Sequence, residues 1–281
     1  MIGRIIKLIS NDYTVLIDDQ EYVCKSRGKF RNEKISPKVG DMVKVDTVNH
    51  YILEVLPRKN ELVRPPVSNI DQVIIITSVK HPNFSTNLLD KLLTIVSYHN
   101  IEPIICFTKL DLLNEEELET IKTYRTYYER YYQVYSNTEI EKIKTLFANK
   151  ITVFTGQSGA GKSTLLNCLD ESLNIKTGEI SMALGRGKHT TRHVELISLY
   201  GGYVADTPGF SDVSFQDMEP QDIRDNFEDF EKYRDSCKYK DCLHNKEDHC
   251  KIKELVAAGT ILQDRYDNYI KFIESIPKKK Y

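Results

Sequence analysis

The sequence predicts three successive folding units: a small β-barrel, an α/β unit with a mostly parallel sheet, and a helical unit organised by metal ligands. Three observations support this division. Short apolar segments fill the first part of the chain, strand-like and helix-like segments alternate in the middle, and cysteines cluster in a polar stretch near the end. We assign residues 1–63, 64–215 and 216–281 to the three units.

The composition is that of an ordinary globular chain. Of the 281 residues, 28% are charged and 40% apolar, and a net charge of −2 gives the molecule no basic field, so nucleic-acid contacts must come from local patches. Apolar runs such as residues 73–76 are too short to cross a bilayer, and the first seven residues alternate like a strand, not like a signal peptide. Scattered Cys24, Cys106 and Cys168 suit buried thiols in a reducing cytoplasm, where we expect the protein.

The first unit contains strand-like segments at residues 2–9, 13–17, 21–25, 40–46 and 51–56. Each is rich in apolar residues or alternates with period two, and turn residues separate them. Five short strands with little helix predict a small barrel. We interpret it as an OB-fold, although the periodicity alone fits other small barrels as well.

The loop between the third and fourth strands is basic. It contains six positive side chains against two negative ones, Glu21 and Glu33; the positive ones are Lys25, Arg27, Lys29, Arg31, Lys34 and Lys38. A solvated surface loop is one interpretation. A loop that faces RNA phosphates on the surface of a barrel is the other.

The second unit follows a stiff linker at residues 63–66, which contains two prolines. Strands are predicted at residues 72–79, 103–107, 133–135, 151–155, 194–199 and 203–205. Helices are predicted at residues 87–99, 115–132, 139–148 and 163–169. Strands that alternate with helices indicate a mostly parallel sheet with both faces covered.

A phosphate-binding motif lies in the middle of this unit. It fits the P-loop pattern G-x-x-x-x-G-K-[ST] and consists of Gly156, Gln157, Ser158, Gly159, Ala160, Gly161, Lys162, Ser163 and Thr164. Its amide groups can surround phosphate oxygens, Lys162 can reach the β- and γ-phosphates, and the Ser163 hydroxyl can bind Mg²⁺. A glycine-rich turn that matches by chance is the alternative, but the predicted strand before the motif and helix after it argue against that.

Two further segments suit a nucleotide site at the carboxyl ends of the strands. The first is the tetrapeptide Thr108, Lys109, Leu110 and Asp111. A carboxylate at Asp111 can accept hydrogen bonds from both N1–H and the 2-amino group of guanine, donors that adenine lacks, and the Lys109 stem can lie along the base.

The second segment is Asp-Thr-Pro-Gly at residues 206–209, where Asp206 is placed to bind Mg²⁺ and the Gly209 amide to bind the γ-phosphate. A plain turn with proline in second position is the alternative. Thr190 or Thr191, in the glycine-rich basic loop at residues 185–193, can supply the hydroxyl that closes over Mg²⁺ and the γ-phosphate.

The third unit carries a Cys/His cluster between predicted helices at residues 219–232, 251–258 and 261–276. Cys237, Cys242, His244 and Cys250 have the spacing C-x₄-C-x-H-x₅-C. Four such ligands in a short polar stretch predict a closed structural zinc site with one Zn²⁺ per chain. A redox or disulfide role is the alternative.

The order of these motifs resembles that of a known family. The guanine motif at residues 108–111 precedes the P-loop, and the Asp206 motif comes last, as in circularly permuted GTPases. With the barrel before and the zinc ligands after, nearly the whole chain is similar to the bacterial ribosome small-subunit-dependent GTPase A family. The resemblance implies an OB-fold, a permuted GTPase domain and a zinc domain. It also implies a role in late maturation of the 30S subunit with binding to 16S rRNA.

The chain departs from the usual GTPase pattern at two positions. Thr108 stands where the guanine motif usually begins with asparagine, and Phe210 stands where many GTPases have a glutamine that orients water. Residues 211–220 contain no histidine that replaces it. The sequence therefore shows no side-chain base, and hydrolysis is expected to rely on positioning and electrostatics.

These observations predict a cytoplasmic, monomeric, Mg²⁺-dependent enzyme that binds GTP and GDP, hydrolyses GTP and acts on the 30S subunit. One alternative is an RNA-binding module that keeps the nucleotide as a structural ligand; it predicts subunit binding that does not distinguish GTP from GDP. Another is a P-loop kinase of a small metabolite, which needs an acceptor pocket. Because the segment from Asp206 to Gly209 precedes the third unit, we also expect the γ-phosphate to shift that unit through residues 210–220.

Overall fold

The computed structural model describes residues 1–28, 30, 35–63, 65–173, 193–206, 214–215 and 217–276. Several residues singled out by the sequence lie outside these ranges: Lys29, Arg31 and Lys34 of the basic loop, Thr190 and Thr191, Gly209 and Phe210.

The five predicted strands of the first unit are confirmed and close into a barrel. They are β1 (Ile2–Ile9), β2 (Asp12–Ile17), β3 (Gln20–Ser26), β4 (Met42–Asp46) and β5 (Tyr51–Val55). The strands pair in the cyclic order β1-β2-β3-β5-β4-β1, and only the β3–β5 pairing is parallel. This order is that of a five-stranded Greek-key barrel of the OB type.

Alternation along the barrel strands explains the closure. One apolar side chain from each strand is completely buried: Ile5, Val15, Cys24, Val43 and Ile52. Successive residues of a strand point to opposite faces, so alternate positions fill the barrel interior. The apolar periodicity of the sequence is therefore the cause of the fold in this unit.

The second unit is a six-stranded sheet that is parallel except at one edge. Its strands are β6 (Gln72–Ser78), β7 (Glu102–Thr108), β8 (Gln133–Ser136), β9 (Ile151–Gly156), β10 (His193–Leu199) and β11 (Gly202–Asp206). They lie in the order β10-β11-β9-β6-β7-β8, and only β10 runs antiparallel to its neighbour β11. The predicted mostly parallel sheet is confirmed.

Both faces of this sheet are covered, as predicted. The helices are α1 (Thr86–Tyr98), α2 (Glu115–Tyr128), α3 (Ile140–Lys144) and α4 (Lys162–Leu169). Val73 and Ile75 of β6 belong to the apolar cluster that contains α1, whereas Ile74 and Ile76 belong to a separate cluster that contains α4. A strand buried on both faces reads as a continuous apolar run, which is what β6 shows.

The barrel and the parallel sheet form one continuous sheet of eleven strands. The first half of β1 pairs with β4, another strand of the barrel, and its second half pairs with β10 of the parallel sheet. This connection was not predicted, because no local pattern marks the partner of a strand edge.

The third unit is helical, but one predicted helix is wrong. The helix expected at residues 219–232 is divided into α5 (Pro220–Asp225) and α6 (Glu228–Arg234). Phe227 lies between them with φ −101° and ψ 94°, and its fully buried ring packs against Phe230 and Tyr269. We therefore attribute the break in the predicted helix to burial of this ring.

Two more helices complete this unit, α7 (Lys251–Ala257) and α8 (Gln263–Ser275). In the second unit, α2 ends at Tyr128, where residue 132 was predicted, and α3 spans Ile140–Lys144, where 139–148 was predicted. Among the residues that the structure covers, no helix has the length and apolar character needed to cross a membrane.

Candidate functional site

The loop between β9 and α4 has a backbone that requires glycine. Gly156, Gly159 and Gly161 have φ values of 145°, 77° and 97°. Residues with a Cβ rarely adopt these values. At Gly156 a Cβ would also lie 2.3 Å from the carbonyl oxygen of Ile76 on the neighbouring strand. The shape of this loop therefore requires glycine at these three positions.

Helix α4 begins inside the same motif. Lys162 is its first residue, Gly161 precedes it as the cap, and Ser163 and Thr164 follow in the first turn. Lys162 and Ser163 are half-buried and Thr164 is exposed. The first amide groups of a helix lack helical partners and carry a partial positive charge, which suits an anion. The loop and helix thus form a phosphate-binding arrangement.

Thr108 joins the end of β7 to the P-loop. Its buried hydroxyl Oγ1 donates a hydrogen bond of 2.6 Å to the carbonyl oxygen of Ala160. The two residues lie 52 positions apart in the chain. Thr108, which stands where the guanine motif usually has asparagine, thus connects the two sequence motifs directly.

Lys109 makes a second connection to the same loop. It adopts the left-handed conformation with φ 64°, and its Nζ donates 2.7 Å to the carbonyl oxygen of Gly159. A further hydrogen bond from Nζ reaches the carbonyl oxygen of His81, which follows β6. The aliphatic stem of Lys109 therefore extends from β7 towards the P-loop.

Asp111 lies in a 3-10 turn at Leu110–Leu112, immediately after these contacts. Its side chain is exposed at the same edge of the sheet as the P-loop, because β7 and β9 run parallel on either side of β6. A carboxylate here is accessible to a ligand that occupies the P-loop.

A third loop at this edge was not anticipated from the sequence. Ser136 ends β8, Asn137 and Thr138 follow it, and the Asn137 amide donates a hydrogen bond of 2.9 Å to the Phe107 carbonyl oxygen of β7. The Ser136 and Thr138 hydroxyls are 2.7 Å apart, and Asn137 Oδ1 is buried without a hydrogen-bond partner among the described residues. The sequence did carry a signal, since these polar residues directly follow a predicted strand.

Glu139 holds this loop in shape. Burial raises its pKa, but hydrogen bonds from Lys142, the Ser136 amide and Arg125 outweigh burial and lower the pKa to about 2. The carboxylate therefore stays ionised at neutral pH and keeps the Ser136 amide at 2.9 Å.

The segment that begins at Asp206 starts beside the P-loop. Strand β11 ends at Asp206 and pairs in parallel with β9, with Tyr203 opposite Ile151 and Val204 opposite Thr152. Both strands therefore finish at the same edge of the sheet. Of the predicted site residues, Thr190, Thr191 and Gly209 lie outside the described part of the chain.

A second site lies in the helical unit. The ligand atoms of Cys237, Cys242, His244 and Cys250 all fall within 4.8 Å of one another. Nδ1 of His244 is 3.6 Å from the Cys237 sulfur and 3.3 Å from the Cys250 sulfur, so Nδ1 is the nitrogen that faces the thiols. Three sulfurs and one imidazole nitrogen at these separations could hold one metal ion.

The surroundings of this cluster hold its ligand loop in place and keep its imidazole neutral. Burial lowers the pKa of His244 to about 4 and raises the pKa of the Cys242 thiol to about 12. The imidazole is therefore neutral near pH 7, as a ligand must be. The hydroxyls of Tyr266 and Tyr269 on α8 donate 2.7 and 2.6 Å to the carbonyl oxygens of His244 and Leu243, which fixes the ligand loop against that helix.

Comparisons with known proteins agree with this architecture. A family model described as RsgA GTPase matches residues 55–216, and one described as RsgA N-terminal domain matches residues 2–51. The small ribosomal subunit biogenesis GTPase RsgA 2 of Oceanobacillus iheyensis is 48% identical over 99% of this chain and 98% of its own. The small ribosomal subunit biogenesis GTPase RsgA of Enterococcus faecalis is 47% identical over 99% and 96%.

Solved structures are similar over the same extent. The crystal structure of YloQ, described as a circularly permuted GTPase, has a TM-score of 0.84 and 40% identity, covering 100% of this chain and 96% of that one. YjeQ from Thermotoga maritima has a TM-score of 0.86 and 33% identity, covering 99% of each chain.

Proposed function

The chain belongs to the RsgA GTPase family, and from that premise we propose that it hydrolyses GTP as an assembly factor of the small ribosomal subunit. The observation that carries the proposal is the hydrogen bond from Thr108 to Ala160, since it joins a guanine motif to a P-loop that follows it in the chain. Relatives of matching length are named as biogenesis GTPases of that subunit.

In this proposal the P-loop residues bind the phosphates. Amides of the loop and of the first turn of α4 surround the phosphate oxygens, and Lys162 approaches the β- and γ-phosphates. Ser163 and Asp206 are assigned to Mg²⁺ binding, together with Thr190 or Thr191. When bound, Mg²⁺ neutralises charge on the β- and γ-phosphate oxygens.

Guanine selectivity is assigned to the turn after β7. The Asp111 carboxylate accepts the N1–H and 2-amino donors, while Lys109 and Leu110 flank the base. The loop at residues 136–138 lies beside this turn and is available to close the other side of the base. Thr108 fixes the distance between the base site and the phosphate site through its bond to Ala160.

Replacing Asp111 by asparagine is expected to weaken GTP binding and to relax the preference for GTP over ATP. An amide cannot accept both guanine donors, and sites of this kind discriminate by as much as roughly 10⁴-fold. Competition binding with both nucleotides measures the preference. Glu116→Gln, an exposed acidic residue on α2, is the matched control. Unchanged selectivity in the Asp111 variant would locate the base pocket elsewhere.

Replacing Thr108 by valine is expected to lower GTP affinity about fivefold, the effect of one lost hydrogen bond of roughly 1 kcal/mol. Valine keeps the shape of the buried side chain but cannot donate to Ala160. Titration with a fluorescent, non-hydrolysable GTP analogue measures the change, and Thr108→Ser, which keeps the hydroxyl, should restore most of the affinity. A valine variant that binds as tightly as the parent would show that the connection has no role in binding.

No side chain in the sequence is an obvious base for the attacking water. Phe210 stands where a glutamine would orient water. We propose that the isolated protein positions GTP and Mg²⁺ for in-line attack but hydrolyses slowly, and that binding to the small subunit completes the arrangement. The small subunit then raises turnover. It also binds the GTP form more tightly than the GDP form, and by reciprocity it raises the affinity for GTP relative to GDP.

The cluster of three cysteines and one histidine is proposed to bind one structural Zn²⁺ per chain. Replacing Cys242 by alanine is expected to release the zinc and to loosen the helical unit, since three ligands do not close a tetrahedral site. Elemental analysis and urea unfolding measure both effects. Cys168→Ala on α4 serves as the control, because Cys168 is exposed, although the sequence predicted a buried thiol there. Parent protein that contains no zinc when purified without chelator would contradict the assignment.

The barrel is proposed to bind 16S rRNA. A cavity of ≈ 540 Å³ on its surface is lined by Lys25, Ser26, Arg27, Gly28, Asn49 and Tyr51. Lys25 and Arg27 belong to the basic stretch found in the sequence, and Tyr51 is exposed, so cations and an aromatic ring lie together as in sites for single-stranded RNA. We further propose that the protein acts in the cytoplasm as a monomer.

Sedimentation with purified small and large subunits tests this function. The protein should pellet with small subunits more strongly in a non-hydrolysable GTP analogue than in GDP, and should not pellet with large subunits. Binding to small subunits that is equal with either nucleotide would favour an RNA-binding module that keeps nucleotide as a structural ligand.

A further inference from the structure

The loop that follows β6 lies beside the turn that carries Asp111, because β6 is the neighbour of β7 in the sheet. The backbone of this loop is fixed to the strand ends. The buried Ser78 hydroxyl donates a hydrogen bond of 2.9 Å to the carbonyl oxygen of Lys80, and the Val79 amide donates one of 3.2 Å to that of Thr108. The Lys80 side chain therefore starts from a well-defined position.

Lys80 forms an ion pair with Glu117 in the first turn of α2. Its Nζ lies 2.8 Å from Oε1 and 2.7 Å from Oε2 of Glu117, so it contacts both carboxylate oxygens. The two side chains are 30% and 39% exposed. The Lys80 ammonium, together with the Asn114 amide, holds the pKa of Glu117 below its usual range. The carboxylate is therefore ionised at neutral pH, as the pair requires.

Glu117 also closes the cap of α2. Its amide donates a hydrogen bond of 2.9 Å to the side-chain oxygen of Asn114, and its Oε2 accepts one of 2.9 Å from the Asn114 amide. Such a reciprocal cap satisfies two amide groups that a helix leaves without partners and fixes the residue that precedes the helix. Through Glu117, Lys80 thus holds the point at which the chain enters α2.

The turn that carries Asp111 is held at both ends by neighbouring residues of one loop. At its start, Nζ of Lys109 donates a hydrogen bond to the carbonyl oxygen of His81, and at its end the cap of α2 is held by Lys80. Among the described residues, none forms a hydrogen bond or an ion pair with the Asp111 carboxylate. The position of that carboxylate therefore depends on how the turn itself is held.

A separate aromatic contact holds the body of α2. The centroids of the Phe84 and Tyr124 rings lie 5.1 Å apart, and Phe84 belongs to the same loop after β6. Tyr124 lies about two helical turns beyond Glu117. Loss of the ion pair should therefore leave α2 docked while it frees the first turn of the helix.

We propose that Lys80 and Glu117 are positioning residues for guanine selection, which together set the place of the Asp111 carboxylate relative to the base. The proposal rests on the proposed assignment of Asp111 to guanine. A carboxylate that must accept two hydrogen bonds from one base tolerates little displacement, because hydrogen bonds weaken steeply away from their preferred distance and angle. The loop after β6 thereby joins the parts of the chain that determine which nucleotide is bound.

The test is competition binding of GDP and ADP to the full chain, with ADP titrated into the millimolar range. Lys80→Met is expected to lower the affinity for GDP about threefold, an effect typical of a partly exposed ion pair, and to leave the affinity for ADP unchanged. Adenine lacks the two donors assigned to Asp111, so a general loosening of the nucleotide site would lower both affinities. Lys80→Arg, which keeps the positive charge, should bind GDP as the parent does.

Two double variants identify the route of the effect. Glu117→Gln removes the charge but keeps the cap of α2, since glutamine also closes such a cap. Combined with Lys80→Met, it should lose no more GDP affinity than Lys80→Met alone, because both changes remove the same pair. In an Asp111→Asn background, Lys80→Met should cause no further loss of GDP affinity.

The matched controls come from α2 itself. Lys122 and Glu119 also form an ion pair there, with 3.0 Å between Nζ and Oε2, but further along the helix than the cap. Lys122→Met and Glu119→Gln should bind GDP as tightly as the parent.

The outcomes separate this proposal from the proposed function. If the parent prefers GDP to ADP but Lys80→Met changes neither affinity, or lowers both equally, the positioning role is overturned and the guanine assignment stands. Losses that simply add in either double variant would overturn it as well. If the parent binds GDP and ADP equally, the guanine assignment is wrong and the positioning role fails with it.

Discussion

The Lys162→Ala variant is expected to lose at least about a hundredfold in GTP turnover while remaining folded, as seen when one charge-stabilising group is removed from an active site. Lys162 opens α4 at the P-loop and is only half-buried, so its removal leaves no cavity in the core. Without its ammonium, the negative charge on the β- and γ-phosphates lacks a fixed counter-charge.

Phosphate release at saturating GTP and Mg²⁺ measures this effect, with circular dichroism as the check on folding. Lys122→Ala on α2, whose side chain is 59% exposed, is the matched control and should be fully active. A double variant of Lys162 and Ser163 that hydrolyses GTP near the parent rate would show that the P-loop assignment is wrong.

Replacing Arg265 by methionine is expected to destabilise the protein by about 3–5 kcal/mol, the usual cost of breaking a buried ion pair by removing one partner. Arg265 on α8 is 1% exposed and its guanidinium lies 2.6 Å from Asp90 on α1 and 3.0 Å from Asp229 on α6. Nη2 of the same group donates a hydrogen bond of 3.0 Å to the Tyr132 hydroxyl oxygen, and the guanidinium lies 4.3 Å from the centre of the Phe227 ring.

The loss of stability is expected because two buried carboxylates, Asp90 and Asp229, would remain without their cation. Burial raises the pKa of Asp90, and Arg265 is the main opposing influence. Burial also opposes the charge on Arg265, yet Asp229 and Asp90 hold its pKa well above the ordinary value. Methionine fills the space but leaves Asp90 and Asp229 buried without their cation, and an uncompensated buried charge is costly.

Urea unfolding at pH 7 measures the loss. Arg125→Met on α2, where the ion pairs with Glu129 and Glu139 are partly exposed, should cost less than about 1 kcal/mol. An Arg265 variant as stable as the Arg125 variant would mean that the buried network contributes little.

This network also bears on the expected movement of the helical unit. Arg265 and Asp229 belong to the third unit, whereas Asp90 and Tyr132 belong to the second, so the contact crosses between them. A shift of the whole helical unit in response to the γ-phosphate would have to break this network. We therefore expect the nucleotide to change the surface through smaller local rearrangements while α8 stays docked on α1.

Local patterns were enough to predict most of the elements. The barrel strands follow from period-two alternation, and the buried strands β6, β7 and β9 follow from short apolar runs. The P-loop and the Cys/His cluster each lie in a short segment whose geometry depends on nearby backbone, so local spacing was enough to predict that the residues of each set lie together.

The features that were missed depend on contacts between distant segments. Phe227 interrupts a helix because Tyr269 and Phe230 offer its ring a buried place, which a helical periodicity does not reveal. In the sequence, Arg265 and Asp90 are indistinguishable from charged residues on the exposed faces of amphipathic helices. Their burial depends on the packing of α1, α6 and α8, which the sequence pattern does not predict. The same holds for the pairing of β1 with β10.

The central claim is that this chain is a GTPase that the small ribosomal subunit activates. GTP turnover of the purified full chain, titrated with purified small subunits and, in parallel, with large subunits, tests it most directly. We predict slow turnover of the protein alone, a saturable rise of at least about tenfold with small subunits, and no rise with large subunits. Completing a GTPase site with a partner's groups can raise turnover by roughly 10³–10⁵-fold, so a tenfold rise is a modest requirement. Turnover that is unchanged by small subunits, or raised equally by both, would contradict the account.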